Sequence, residues 1–60
     1  MSEYVWVAWC YGRDGIKMRL VRTSEKRAQS VANTWLRRDT GNTVQITRSL
    51  KKDAPTEKKW

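Results

Sequence analysis

The sequence predicts an α+β domain of β-β-α-β order, with a three-stranded antiparallel sheet and one helix packed on one of its faces. Three observations carry this. Residues Tyr4 to Tyr11 are apolar without interruption, Gly12-Arg13-Asp14-Gly15 has the chemistry of a hairpin turn, and Ala28, Val31, Ala32, Trp35 and Leu36 recur at helical spacing.

The run Tyr-Val-Trp-Val-Ala-Trp-Cys-Tyr is rich in β-branched and aromatic residues and does not alternate. A strand with one wet face alternates, so this one is contacted on both faces and belongs in the middle of the sheet. The Asp14-Gly15 pair suits a tight turn, closed over either two or four residues. Both lengths place the odd positions of the first strand beside the even positions of the second. The second strand, Ile16 to Arg22, alternates, with Ile16, Met18 and Leu20 on one side and Lys17, Arg19 and Val21 on the other. The expected core face is therefore Val5, Val7, Trp9 and Tyr11 with Ile16, Met18 and Leu20. Tyr4, Trp6, Ala8 and Cys10 then share the opposite face with Lys17, Arg19 and Val21.

Thr23-Ser24-Glu25 opens the helix, because a hydroxyl there can accept from the free amides of the first turn and Glu25 complements the dipole. The helix is expected to run to about Arg38: the apolar stripe reaches Leu36, Arg37 and Arg38 suit the negative end, and Gly41 or Asn42 then terminates it. Thr43 to Leu50 is the third strand, with Val44, Ile46 and Leu50 in the inward row, Gln45, Thr47 and Ser49 outward, and Arg48 breaking the inward row near the sheet's end. With the apolar strand central, the spatial order is 2-1-3. Residues 1–50 form the domain and residues 51–60, charged and carrying the one proline, are expected as a disordered basic tail, with Trp60 available to fold back.

Composition narrows the function. A chain of 60 residues buries only about 60% of the surface it exposes unfolded, so stability is marginal. One cysteine and no histidine exclude an internal disulfide and the usual zinc sets, and they leave Cys10 without a base for nucleophilic catalysis. The acids are scattered and no phosphate-cradling glycine loop is present, so no catalytic residue, metal or cofactor is expected. The eight-residue apolar run is too short for a membrane helix, and the free cysteine fits a reducing cytoplasm.

Thirteen Lys and Arg against six Asp and Glu give a formal charge of +7. This excess favours an anionic partner, either nucleic acid or an acidic protein surface. The sheet face without a helix is the expected binding surface. Tyr4 and Trp6 offer rings, Lys17 and Arg19 offer charge, and the same face could instead pack under the tail or against a second copy as a homodimer. Arg37 and Arg38, with Lys26 and Arg27, make a second basic element on the helix, suited to DNA contact or simply to solvent.

The segments Met-Ser-Glu-Tyr-Val-Trp-Val-Ala-Trp-Cys, Gly-Arg-Asp-Gly-Ile-Lys and Ser-Glu-Lys-Arg-Ala-Gln-Ser-Val-Ala-Asn-Thr-Trp-Leu resemble the short accessory proteins of the early regions of lambdoid temperate phages and prophages. The resemblance spans residues 1–50. It implies a protein of the bacterial cytoplasm that acts by binding a host protein or nucleic acid rather than by catalysis; joined to the residue reading, it makes a modulator that docks on a host protein through the uncovered sheet face the first expectation. A nucleic-acid-binding module using that face or the basic helix is the alternative.

Overall fold

A computed structural model describes residues 3–59. The elements run β1 (Tyr4–Tyr11), β2 (Lys17–Arg22), α1 (Glu25–Arg38), β3 (Thr43–Leu50), a 3-10 turn (Lys51–Asp53) and β4 (Lys58–Lys59). The sheet has four strands in the order β3-β1-β2-β4, all neighbours antiparallel. The expected arrangement of the first three strands, with β1 central, is present. The three-stranded limit is not, because β4 adds to the outer edge of β2. Residues 51–59, expected as disordered, thus return across the sheet and end paired to it; Trp60 lies outside the described residues.

The hairpin determines what each face carries. Gly12 N–H donates to Ile16 O at 2.6 Å and Gly15 N–H to Gly12 O at 3.1 Å, closing a three-residue loop of Arg13, Asp14 and Gly15. Gly15 has φ +91, the left-handed conformation that completes this loop type. An odd loop length reverses the side-chain relation expected from two or four residues. Tyr11 pairs with Lys17, Trp9 with Arg19 and Val7 with Val21, so odd positions lie with odd.

The helix accordingly packs on the even face. Ala8, Cys10 and Trp35 form the buried cluster, with Met18, Leu20, Val31 and Val44 against it. Small residues dominate where helix and sheet approach: Ala8 and Ala28 are fully buried and Ala32 nearly so. The expected core row of Val5, Val7, Trp9 and Tyr11 therefore lies on the other side, and Ile16, outside β2, is exposed.

Ser24 caps α1, its Oγ accepting from Arg27 N–H at 3.2 Å. The helix ends at Arg38 as expected, with Asp39 rather than Gly41 or Asn42 as its C-cap. Asp39 has extended backbone, its carboxylate accepts from Gly41 N–H, and Asn42 Nδ2 donates back to Trp35 O at 3.0 Å. Trp35 anchors this end to the sheet, its Nε1 donating to Tyr11 O at 3.2 Å and Thr43 O at 3.0 Å. Leu36, expected in the buried stripe, is exposed. Its position one residue beyond Trp35 turns it toward the flank of the helix.

Candidate binding face

The face opposite α1 carries Val5, Val7, Trp9 and Tyr11 from β1, Lys17, Arg19 and Val21 from β2, Thr43, Gln45, Thr47 and Ser49 from β3, and Lys58 from β4. It is only partly open. The chain leaves β3 at Leu50, Lys51 N–H donates to Glu3 O at 2.7 Å, and Arg19 Nε donates to Thr56 O at 2.7 Å. Since Arg19 points away from the helix, the tail crosses on that side. Ala54 and Pro55 are half-buried along it, and Val5 and Val7 are buried although no helix covers them.

No described residue covers the hairpin end of the face. Trp9 is half-buried, with its Nε1 donating to Thr47 Oγ1 at 2.8 Å, so the indole is held in one orientation across β3. The Arg19 guanidinium lies 5.4 Å from the Trp9 ring centre, a cation–π distance. Tyr11 is 40% exposed, two residues along the same strand. Trp9, Tyr11, Gly15, Lys17 and Met18 line a shallow concavity there. None of the described strand positions on this face is an acid.

Of the residues expected to bind, Lys17 and Arg19 do lie on this face. Tyr4 and Trp6 do not. The three-residue loop places them on the helix side, where Tyr4 is 41% exposed at the sheet's end and the Arg48 guanidinium lies 4.6 Å from its ring centre. Arg48 is exposed in the inward row, as its charge required. Arg37 and Arg38 sit in the last helical turn, with Arg38 5.8 Å from the Trp35 ring centre, so neither joins Lys17 and Arg19. Trp9 and Tyr11 are the aromatic residues that reading the sequence assigned to the core instead. The signal that identifies them is the odd loop length, which Gly12-Arg13-Asp14-Gly15 permits but does not dictate.

Beside the face, the Glu57 carboxylate accepts from Val21 N–H at 3.1 Å and from Arg22 Nη1 at 2.6 Å. These contacts hold its carboxyl below the usual carboxylate range, the Val21 amide contributing most. Cys10 is buried on the helix side, and desolvation pushes its thiol up from the ordinary value. Among the described residues no His, Cys, Asp and Glu side chains cluster as a metal site, and no helix is long and apolar enough to cross a membrane.

The free edge of β3 is a second feature. The Lys51 N–H to Glu3 O bond continues the β1–β3 ladder and makes its odd positions the hydrogen-bonded ones. The backbone groups of Val44, Ile46, Arg48 and Leu50 therefore point outward from an edge that no described strand covers.

Comparison with protein-family models, curated proteins and solved structures finds no match to this chain.

Proposed function

We propose that this chain is a small non-catalytic binding protein whose open sheet face takes a single strand of nucleic acid. The observation that supports it is the meeting of Trp9, Tyr11, Lys17, Arg19 and Lys58 on one face whose described strand positions include no acid. Trp9 and Tyr11 stand about 7 Å apart along one strand, the spacing of alternate residues, with Lys17 and Arg19 opposite them. Bases stack on rings or guanidinium planes while lysines take phosphates.

Binding of a labelled oligothymidylate, followed over a range of salt, tests the reading. Trp9→Ala should weaken it by about 1–3 kcal/mol, the worth of one stacked base. Lys17→Ala with Arg19→Ala should make the salt slope shallower by about two phosphate contacts. A salt-insensitive interaction, or one indifferent to Trp9→Ala, would sink the proposal.

The free β3 edge favours a second reading, a phage-type accessory modulator that docks on a host protein. Its eight residues carry one charge, Arg48, and no proline or glycine, so it lacks the features that keep edges from accepting a further strand. A host protein that stays bound to the immobilised chain after nuclease and moderate salt, and is lost when Ile46→Pro blocks the edge, would favour this reading.

A further inference from the structure

We infer that the outer edge of β2 holds an anion site, built from the Val21 amide and the Arg22 guanidinium, which takes a phosphate of the bound strand and is filled by Glu57 when none is bound. The phosphate's source rests on the nucleic-acid reading above; the site rests on its own geometry. Val21 N–H points outward from β2 at the level where β4 has not yet begun to pair. Arg22 Nη1 reaches the same carboxylate oxygen, Oε1, and also donates to Val21 O at 2.8 Å, which holds the guanidinium beside the amide. A backbone amide and a fixed guanidinium converging on one oxygen are the donors a phosphate oxygen also accepts.

The occupant is exchangeable. Glu57 is the last residue before β4, which is two residues long and exposed at both. The segment it closes also takes Arg19 Nε through Thr56 O. The acid that fills the anion site and the carbonyl that engages the cation beside Trp9 thus belong to adjacent residues of one strap. A phosphate displacing Glu57 frees Arg19 from Thr56 and brings the β2 edge into line with Lys17 and the open face. The tail is then a competitor for nucleic acid, although two of its last three residues are lysines.

The test uses the full chain labelled for amide resonances, as wild type, Glu57→Ala and Asp53→Asn. Asp53→Asn removes the same charge from the same tail without touching the site. Inorganic phosphate is titrated at constant ionic strength against chloride. The Val21 amide of Glu57→Ala should shift saturably at about tenfold lower phosphate than in wild type or Asp53→Asn, the effect of one charge-assisted contact no longer contested. Oligothymidylate should likewise bind Glu57→Ala several-fold more tightly than Asp53→Asn. Equal responses of Glu57→Ala and Asp53→Asn to phosphate, or a Val21 amide unmoved by it, would overturn the anion site whatever the oligonucleotide does. A phosphate response at Val21 with no oligonucleotide binding in any variant would uphold the site and reject the nucleic-acid reading. A spectrum of Glu57→Ala that has lost its dispersion would show Glu57 to be structural and would also overturn the proposal.

Discussion

Gly12 and Ile16 are bonded across the hairpin, the Gly12 amide to the Ile16 carbonyl at 2.6 Å, and this pairing assigns every side chain of β1 and β2 to its face. One residue more or less in the loop would bring Trp6, Ala8 and Cys10 to the side of Lys17 and Arg19. With the three-residue loop, Trp9 meets Arg19, and the small residues Ala8 and Cys10 face the helix.

Gly15 should therefore be sensitive to substitution for backbone reasons alone. Its φ of +91 suits glycine, and a Cβ there would meet no atom within 4 Å. Gly15→Ala should cost about 1–2 kcal/mol in urea unfolding, and Gly15→Asn less, because asparagine tolerates the left-handed region better.

Gly41 is constrained by space instead. A Cβ built there would lie 2.6–2.7 Å from the Cβ, Cγ and Cδ of Arg13, where the hairpin loop meets the turn after α1. Gly41→Ala should destabilise by about 1–3 kcal/mol. Arg13→Gly should relieve much of that cost in the double variant, whereas Arg13→Ala, which keeps the clashing Cβ, should not.

Trp35 combines burial with two hydrogen bonds from one nitrogen, to the backbones of β1 and β3. Trp35→Phe leaves the Tyr11 and Thr43 carbonyls without this donor and should cost about 1–3 kcal/mol. Trp35→Ala should cost about 3–5 kcal/mol, a large fraction of what a domain this small can have. Thermal unfolding by circular dichroism measures both.

Cys10 should be inert while the chain is folded. Burial raises its thiol above the ordinary value, so the thiolate is disfavoured in the native state. A thiol reagent at neutral pH should modify it only at the rate of unfolding. Because the folded value is the higher one, the linked stability is fully present below the unfolded thiol's pKa and is lost as pH rises through the folded one. Cys10→Ala should remove that alkaline component.

Glu57 titrates in the opposite sense. Its lowered value means that the clip on Val21 and Arg22 contributes above the free carboxyl's pKa and is lost as pH falls through the bound one. Both partners are substantially exposed, so the effect on global stability should be small. The Val21 amide resonance should report the loss in acid, and Asp53→Asn should leave it unchanged.

Local chemistry in the chain was sufficient for β1, β2, α1 and β3. An apolar run with no polar side had to be the central strand, a hydroxyl at Thr23 or Ser24 had to open a helix whose stripe centres on Ala28, Ala32 and Trp35, and β-branched alternation marked Thr43 to Leu50. Each of these depends on contacts within a few residues or on a periodicity visible in one segment. Which face the helix covers depended on the parity of a single loop. Gly12-Arg13-Asp14-Gly15 is compatible with two, three or four loop residues, and only packing selects among them: Ala8 and Cys10 admit the helix with Trp35, where Val7 and Trp9 would hold it off. The fourth strand was equally hidden. Lys58 and Lys59 have no strand pattern of their own, and they pair with β2 because Arg19 and Arg22 hold Thr56 and Glu57 across the sheet, contacts more than thirty residues apart in the chain.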